Sequence, residues 1–344
     1  MKVYYSTDTI PAFEKAVVTI GTFDGVHTGH ARILEQLKQE AARIGGETVI
    51  ITFHPHPRKV IVTGQPAIYM INTIDEKIEL LDKNGIDHLV VVPFTDDFSR
   101  QTPEDYIEQF LIEKFHPHTV IIGYDHRFGK DRKGDYKLLE KYSDRLGFRL
   151  MEISAHLIND NTVSSTRIRE AVLHGETDTA NALLGYDFFF EGTVVDGNKL
   201  GRTLGYPTAN LRIENEEKLV PGNGIYAVQV EVRSRKPEAG SQKSEVGIQK
   251  SEFGNGNRSE TYSPLTTPHS RLNGMMSIGI RPTIGGTDRV IEVNIFDFNE
   301  DIYGATLRVY VKKYLRSEVK FNSLEALTEQ LGKDKEDTLA VLNK

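Results

Sequence analysis

The first half of the chain alternates short apolar runs with longer segments whose apolar residues recur every three or four positions. The short runs predict buried strands, and the longer segments predict amphipathic helices. Such alternation is typical of an α/β fold with a parallel sheet and crossover connections. The predicted strands are 16–20, 47–53, 88–93, 119–123 and 148–153, and the predicted helices include 28–44, 74–84, 103–115, 164–174 and 177–184.

The pattern changes after residue 185, where β-rich segments are separated by turns rich in glycine and asparagine. This pattern indicates an antiparallel barrel or sandwich. The predicted strands are 187–195, 224–233, 275–280, 289–298 and 305–315, followed by two short helices at 323–332 and 335–342. We therefore predict two domains, 1–184 and 185–344.

Segment 234–273 interrupts the strands of the second domain with Ser, Lys, Glu, Gly and Asn, and it contains a near-repeat of Gln-Lys-Ser-Glu. Its low hydrophobicity cannot offset the entropy lost on ordering. We interpret it as a long flexible insert between strands, without a catalytic role.

Composition narrows the possible chemistry. The length of 344 residues suits two domains, and the absence of cysteine excludes disulfides, a thiolate nucleophile and Cys-based zinc sites. The formal net charge of −7 argues against bulk nucleic-acid binding. No apolar run approaches the roughly twenty residues of a membrane helix, and the N-terminus lacks a signal core, so we expect a cytoplasmic protein without a membrane segment.

Two histidines stand where the first long strand turns into a helix, in the sequence Gly21-Thr-Phe-Asp-Gly-Val-His-Thr-Gly-His30. Helix N-termini attract phosphates through free N–H groups and the helix dipole. His27 and His30 lie three residues apart, so both rings share one helix face. The alternative is a pair of surface histidines flanking a glycine; the strand-turn-helix context favours a triphosphate site.

A second candidate phosphate site opens the predicted helix 164–174. Three hydroxyls that could cap a helix or bind phosphate come from Ser164, Ser165 and Thr166. The guanidinium of Arg167 adds a positive charge and several N–H donors. Capping alone explains the hydroxyls. It does not explain an arginine in the first turn, where its charge opposes the helix dipole unless an anion binds.

The second domain carries its own candidate anion loop, between Asp196 and Asn210. Glycines at 197, 201 and 205 allow the loop to fold closely over an anion, and Lys199 and Arg202 supply positive charge. In the extended segment that follows, Thr208 and Asn210 share a face and are oxygen ligands suited to Mg²⁺. A turn whose hydroxyl and amide bind only backbone explains this pair equally well.

Glu292 lies in a strand flanked mostly by β-branched residues. Its carboxylate either projects from the solvent face or points into a site as a general base. Spacing alone does not choose between these two roles.

Together the motifs resemble, over nearly the entire chain, the prokaryotic family of bifunctional riboflavin kinase and FMN adenylyltransferase. The first half carries Gly21 to His30, Thr52-Phe-His-Pro-His-Pro57, Gly123-Tyr-Asp-His-Arg-Phe-Gly129 and Ser164-Ser-Thr-Arg-Ile-Arg169. The second half carries Gly201-Arg-Thr-Leu-Gly-Tyr-Pro-Thr-Ala-Asn210, Gly279-Ile-Arg-Pro-Thr283, Glu292 and Asp297-Phe-Asn-Glu-Asp-Ile-Tyr-Gly304. The resemblance implies a Rossmann-like nucleotidyltransferase domain followed by an antiparallel β-barrel riboflavin kinase domain.

The resemblance also implies two reactions that use ATP and Mg²⁺. In the second domain, Glu292 would deprotonate riboflavin for attack on the γ-phosphate of ATP, giving FMN. The phosphates and the metal would be held there by Gly201, Arg202, Gly205, Thr208 and Asn210, with Thr208 and Asn210 as metal ligands.

In the first domain, FMN would attack the α-phosphate of a second ATP to give FAD and pyrophosphate. His27, His30 and Arg167 would be catalytic there. The resemblance implies that the remaining motif residues bind nucleotide or flavin: Gly21, Phe23, Asp24, Gly29, Phe53, His54, Pro55, Pro57, Asp125, Phe128, Ser164, Ser165 and Thr166.

Two positions depart from the family pattern: Asn294 stands where many relatives have a histidine, and His126 replaces a frequent phenylalanine. Two rival hypotheses remain. One is a single-activity nucleotidyltransferase, and the other treats the C-terminal half as a flavin-binding module without phosphoryl transfer. In every case the expected partners are small molecules, namely ATP, riboflavin and FMN.

Overall fold

The chain divides into two units in the computed structural model, which describes residues 1–61, 68–153, 163–197, 200–233, 271–283 and 286–343. Unit 1 comprises Met1–Val172, Thr179–Tyr186 and Glu217–Leu219, and unit 2 comprises Leu173–Asp178, Asp187–Glu216 and Val220–Lys344. Of the predicted insert 234–273, residues 234–270 lie outside the described part of the chain.

Unit 1 is built on a six-stranded parallel sheet with the order β1-β4-β3-β2-β5-β6. Five strands confirm the sequence prediction to within one residue at each end. The sixth, β1, escaped prediction because three residues are too few to display a periodic pattern. The strands are β1 (Lys2–Tyr4), β2 (Val17–Ile20), β3 (Thr48–His54), β4 (His88–Pro93), β5 (Thr119–Gly123) and β6 (Arg149–Ile153).

The inner strands of this sheet are buried on both faces. In β2, Val17 packs into one apolar cluster while Val18 and Ile20 pack into the other, on the opposite side. Successive side chains of a strand point to opposite faces, so a sheet that is covered on both faces needs apolar residues at nearly every position. This requirement explains why the strands read as continuous apolar runs.

The helices of unit 1 follow the predicted pattern, and α1 has the bounds that the sequence predicts. Predicted helix 103–115 contains a central π-helical segment, Tyr106–Ile112. The helices are α1 (Thr28–Ile44), α2 (Pro57–Ile61), α3 (Ile74–Lys83), α4 (Asp96–Ser99), α5 (Pro103–Asp105), α6 (Glu113–Phe115), α7 (Tyr136–Leu146), α8 (Ser165–Leu173) and α9 (Thr177–Leu184).

One short segment of unit 1 comes from far along the sequence. Lys218 forms a bridge with Met70, and the backbone N–H of Met70 donates to the Glu217 carbonyl at 2.7 Å. The Lys218 ammonium, which is buried, donates to the Ile71 carbonyl at 2.6 Å and pairs with Glu76. Residues 217–219 therefore hold the chain that leads into α3.

Unit 2 contains a closed β-barrel with the order β10-β11-β8-β7-β12-β9, in which every pairing is antiparallel. The barrel decides between the two architectures that the sequence left open. Strand β8 was predicted only as an extended segment. The strands are β7 (Phe189–Val195), β8 (Ala209–Arg212), β9 (Gly224–Arg233), β10 (Leu272–Thr283), β11 (Gly286–Ile295) and β12 (Thr306–Arg316), and a short helix α10 (Leu200–Thr203) precedes β8.

The prediction of two C-terminal helices is wrong, because residues 324–342 form one continuous helix, α11 (Leu324–Leu342). Gly332 costs such a helix about 1 kcal/mol relative to alanine. Tertiary contacts outweigh that cost. Asp334 is 1% exposed and accepts two hydrogen bonds from the Arg316 guanidinium, at 2.7 and 2.6 Å. In the described part of the chain, no helix has the length and apolar character needed to cross a bilayer.

The Asp334–Arg316 pair generates a stability prediction. Replacing Asp334 by Asn removes a charge-assisted bidentate contact, so we expect the free energy of unfolding of unit 2 to fall by about 1–3 kcal/mol. Urea unfolding followed by far-UV circular dichroism measures this change. Asp337→Asn, at an exposed position of the same helix, is the matched control. Equal stability of the two variants would contradict the role given to the pair.

Candidate functional site

Three of the sequence motifs follow neighbouring strands of the parallel sheet. Strand β2 lies between β3 and β5, and the chain runs from β2 through β3 to β4 before it returns to β5. Ligands of open parallel sheets bind beyond the carboxyl ends of the strands at such a switch point. The turn after β2, the His-Pro loop after β3 and the Gly123 loop after β5 all leave the sheet at this edge.

His27 and His30 lie side by side at the start of α1. Their ring centroids are 3.7 Å apart, with an interplanar angle of 13°. His27 is the N-cap of the helix, and its Nδ1 accepts the backbone N–H of His30 at 3.3 Å. Because Nδ1 accepts this bond, the hydrogen-bond pattern assigns the proton of neutral His27 to Nε2.

Burial keeps both rings uncharged at neutral pH. Burial lowers the pKa of His27 to about 4, against partial compensation by Asp24. Burial, and then the neighbouring His27 and Lys77, lower the pKa of His30 well below its usual value. Within the described residues, the buried His30 Nδ1 has no hydrogen-bond partner. Each neutral imidazole retains one N–H, which is the donor that a growing phosphoryl charge requires.

The turn that leads to these histidines, residues 21–27, has a strained backbone. Phe23 and Val26 have φ of 47° and 37°, and Gly25 has φ of 90°. Positive φ is uncommon in residues other than glycine and is a genuine outlier for a β-branched residue such as valine. Such strain persists only where surrounding structure holds it in place.

Side chains from several elements hold the carbonyls of this turn. The Thr22 carbonyl accepts hydrogen bonds from Lys77 Nζ at 2.7 Å and from Thr52 Oγ1 at 3.1 Å. The Asp24 carbonyl accepts one from Ser165 Oγ at 2.9 Å. The Gly25 carbonyl accepts one from the Tyr186 hydroxyl at 2.6 Å. Among the first N–H groups of α1, that of His30 donates to His27 Nδ1, whereas helix geometry gives those of Thr28 and Gly29 no internal partner.

The carboxylate of Asp24 holds the turn rather than facing solvent. It is 2% exposed, accepts the backbone N–H of Ile71 and of Asn72 at 3.0 and 3.2 Å, and pairs with Arg169. The Arg169 guanidinium also donates to the Tyr69 carbonyl at 2.7 Å. Asp24 thus ties together the turn, the segment before α3 and helix α8.

Of the residues at the start of α8, the structure brings Ser165 and Arg169 to the turn. Ser164, Thr166 and Arg167 have exposed side chains, and Ser164 Oγ accepts the backbone N–H of Arg167 at 3.2 Å, as a capping hydroxyl does. Sequence reasoning chose Arg167 for its place in the first turn. Arg169, one half-turn further along the helix, is part of the same motif, but the sequence gives it no individual role.

The residues that the resemblance assigns to flavin differ in exposure. Phe53 is half-buried against Phe94 and Phe98, with ring centroids 5.5 Å away in each case. His54, Pro55 and Asp125 are exposed, Pro57 is half-buried, and Phe128 is 5% exposed and stacks on Tyr106 with centroids 5.0 Å apart. Burial lowers the pKa of His126, which precedes this ring, to about 4.

Sequence reasoning missed Lys77, which is buried in helix α3. A signal for it exists in the sequence: Lys77 stands three residues after Ile74 and four before Leu81, in the apolar stripe of an amphipathic helix. A lysine on such a face is rarely fully buried without a partner.

In unit 2, the barrel register places Glu292 directly opposite Asn210 and, on the other side, opposite Ser277. Directly opposite residues in antiparallel strands project their side chains to the same face. Glu292 is half-buried, whereas its neighbours Ile291 and Val293 are buried. Glu292 and Asn210 therefore share the face opposite to that of these apolar neighbours.

The loop before β8 is tightly folded. The Gly201 carbonyl accepts the backbone N–H of Tyr206 at 2.8 Å, and a side chain at Gly201 would collide with the Tyr206 carbonyl. Gly205 adopts φ of 81°. Asn294, one of the two departures from the family pattern, donates from Nδ2 to the Pro207 carbonyl at 2.7 Å and so ties the loop to β11. Lys199 lies outside the described residues.

The predicted metal ligands have suitable donor chemistry. Among the described residues, no group of three or more His, Cys, Asp or Glu side chains is placed to hold a metal ion. Thr208 and Asn210 instead offer hydroxyl and amide oxygens, next to the carboxylate opposite Asn210. Such hard oxygen donors fit a Mg²⁺ ion that keeps substrate phosphates as further ligands. A cavity of about 410 Å³ in unit 2 has a mostly apolar lining, which includes Val195, Leu211, Ile213, Val220 and Ile291 and does not include Thr208, Asn210 or Glu292.

Comparison with known proteins gives matches to both halves of the chain. Residues 9–167 match the family model described as FAD synthetase, and residues 184–342 match the model described as riboflavin kinase. The bifunctional riboflavin kinase/FMN adenylyltransferase of Listeria monocytogenes is 36% identical over 95% of this chain and 93% of its own length. The protein of the same name from Bacillus subtilis is 35% identical over 94% and 92%.

Among solved structures, one described as a macrolide-efflux protein from Streptococcus pneumoniae has a TM-score of 0.79 to this chain at 29% identity. The match covers 98% of each chain.

The buried His27 predicts a pH dependence of stability. Its pKa is lowered from 6.5 to about 4 in the folded protein, so between these values the unfolded chain binds a proton that the folded chain does not. The contribution of His27 to the free energy of unfolding is therefore fully present above pH 6.5 and is lost as the pH is lowered toward 4. In His27→Asn, which keeps a good N-cap, the free energy of unfolding should fall less steeply between pH 6.5 and 5. Urea unfolding at a series of pH values tests this, and an unchanged slope would contradict it.

Proposed function

The chain belongs to the family of bifunctional riboflavin kinase/FMN adenylyltransferases, and on that premise we propose that it makes FAD from riboflavin in two ATP-dependent steps. The first step forms FMN in the barrel of unit 2, and the second forms FAD at the histidine pair of unit 1. The observation that carries this proposal is the separation of two chemically different sites, the His27–His30 pair in one unit and the Glu292–Asn210 pair in the other. As catalytic halves we propose 1–184 and 185–344.

In the kinase step, the Glu292 carboxylate accepts the proton of the terminal ribityl hydroxyl of riboflavin. The hydroxyl oxygen then bonds to the γ-phosphorus of ATP while the bond from that phosphorus to ADP breaks. Asn210 lies opposite Glu292, and with Thr208 it would hold Mg²⁺. When bound, this ion neutralises charge on the ATP phosphates. The loop that contains Gly201, Arg202 and Gly205 would fold over the phosphates.

In the adenylyl-transfer step, a phosphate oxygen of FMN bonds to the α-phosphorus of the second ATP, and pyrophosphate leaves. His27 and His30 donate hydrogen bonds to the oxygens on which charge grows, and the N-terminus of α1 adds the N–H groups and the dipole. Alignment and charge stabilisation suffice, so no covalent intermediate is required. The rings are uncharged before the reaction, so they hold no tightly bound counter-anion that ATP would have to displace.

The other predicted residues surround this centre. We assign the phosphates also to Ser164, Ser165, Thr166 and Arg167 at the start of α8, and the nucleotide to the turn through Gly21, Phe23, Asp24 and Gly29. We assign the flavin to Phe53, His54, Pro55 and Pro57 after β3 and to Asp125 and Phe128 after β5. These loops leave the same edge of the sheet as the histidines, which supports the assignment.

We further propose that the partners are small molecules only and that the protein works in the cytoplasm, because both steps consume ATP. The net charge of −7 is consistent with an enzyme that does not bind nucleic acid.

Two parallel incubations distinguish this function from its rivals. The full chain is supplied with ATP and Mg²⁺ and with either riboflavin or FMN, and the flavins are separated by chromatography over time. FMN followed by FAD is the expected result. FAD formed only when FMN is supplied would indicate a single-activity nucleotidyltransferase, and unchanged riboflavin and FMN would indicate a binding module.

Glu292→Gln separates the two activities. Loss of a general base typically lowers a rate by about 10²–10⁴-fold, so we expect FMN formation from riboflavin to fall by this factor. FAD formation from supplied FMN should persist. Glu336→Gln, at an exposed position of helix α11, is the control for both assays. Parallel loss of the two activities would contradict the assignment of two sites.

His30→Ala tests the other site. Removing one donor to a developing oxyanion costs on the order of 10²–10³-fold in rate, so FAD formation should fall by that factor while FMN accumulates. The same chromatographic assay measures both products. His174→Ala, at an exposed histidine, serves as the control. FAD synthesis at the normal rate would refute the role of His30.

A further inference from the structure

Lys77 is a buried lysine that the two reactions above leave without a role. It lies in α3, is 7% exposed, and its ammonium donates to the Thr22 carbonyl at 2.7 Å and to Thr52 Oγ1 at 3.4 Å. In the described part of the chain, no carboxylate contacts this ammonium.

Hydrogen bonding alone does not require a cation at this position. The carbonyls of Asp24 and Gly25, in the same turn, are held by neutral hydroxyls. The Thr22 carbonyl already accepts a hydroxyl, from Thr52 at 3.1 Å. Removing an ammonium from water is strongly unfavourable unless a counter-charge compensates. A neutral donor would satisfy the carbonyl without that cost, so the charge itself needs an explanation.

The charge of Lys77 acts on the side of the site where the histidines lie. It contributes to lowering the pKa of both His30 and His56, which come from α1 and from the loop after β3. Asp24 is the nearby carboxylate, and its charge is already engaged by Arg169. Lys77 and Arg169 thus share one carboxylate, and the surplus positive charge lies close enough to His30 and His56 to lower the pKa of both rings.

Burial lowers the pKa of Lys77 to about 8, and the charge of Asp24 opposes that shift. The ammonium is therefore still mostly protonated at neutral pH. An anion bound beside it would raise this pKa again, because an opposite charge favours the protonated form.

We propose that Lys77 is a positioning residue for FMN adenylylation, which fixes turn 21–27 through the Thr22 carbonyl and supplies the surplus positive charge that attracts the nucleotide phosphates. This proposal rests on the proposed function of the histidine site. It differs from a purely structural role because it requires the charge of the side chain and not only its hydrogen bond.

The test compares Lys77→Met, which removes the charge, with Lys77→Arg, which keeps it. Lys83→Met is the matched control, since Lys83 is exposed on the same helix and pairs with Glu79. Pyrophosphate binding to the full chain is measured by calorimetry at pH 7. Losing one hydrogen-bonded charge typically corresponds to about a 10–100-fold loss of affinity, which we expect for Lys77→Met. Lys77→Arg should keep most of the affinity, and Lys83→Met all of it.

The pH profile adds a readout that a structural role would not change. As the pH rises from 7 to 9.5, the Lys77 ammonium loses its proton, and the affinity of the unmodified protein for pyrophosphate should fall. In Lys77→Arg this fall should be smaller, because a guanidinium stays protonated throughout the range. This comparison also serves if Lys77→Met fails to fold.

Each outcome supports or overturns the proposal. Equal pyrophosphate affinity in Lys77→Met and Lys83→Met overturns it, as does equal loss in the Met and Arg variants of Lys77. Parallel pH profiles for the unmodified protein and Lys77→Arg overturn it too. FAD formation by the unmodified protein is assayed separately, so failure of the proposed function would appear there and not in the pyrophosphate measurements.

Discussion

The structure of the first site depends on how the backbone of turn 21–27 is satisfied. A turn with positive φ at Phe23 and Val26 does not persist unaided, and its carbonyls would compete with an anion for the same space. Donors from β3, α3 and α8, together with Tyr186 just beyond α9, bind these carbonyls. The site is then lined by hydrogen-bond donors, namely the N–H groups at the start of α1. In the proposed function, recognition of phosphate is thus a property of the backbone, which side chains far apart in sequence maintain.

The two histidines illustrate how one residue serves both local and chemical needs. His27 caps α1 through Nδ1, and the same bond leaves the proton on Nε2. A serine or aspartate would cap the helix equally well but would not present an N–H. In the proposed adenylyl-transfer step, the N–H of the second ring nitrogen is the reason for a histidine at this cap position. In unit 2, the strand register decides which face Glu292 occupies. A shift of the register by one residue would move its side chain to the apolar face of the barrel.

Much of this structure follows from the sequence, and the exceptions have identifiable causes. The inner strands of the parallel sheet were predictable because burial on both faces demands continuous apolar runs. Strand β1 was not, because three residues carry no period. The continuous helix α11 was not predicted because Gly332 disfavours a helix, and the contact of Asp334 with Arg316 that outweighs this cost joins segments that local pattern does not relate. The histidine pair was visible because helix geometry alone places it. The sequence gives no role to Arg169, Lys77 or Tyr186. Their contacts with the turn join segments that are far apart in sequence, and a local pattern carries no information about such contacts.

Residues 217–219 belong by packing to unit 1, although they lie in the second half of the sequence. They supply a backbone partner for Met70 and a buried counter-charge for Glu76, which also caps the helix that bears Lys77. The packing units therefore do not divide at residue 185, where the sequence pattern changes. A fragment that ends at residue 185 would lack the carbonyl that binds the Met70 N–H and the ammonium that pairs with Glu76.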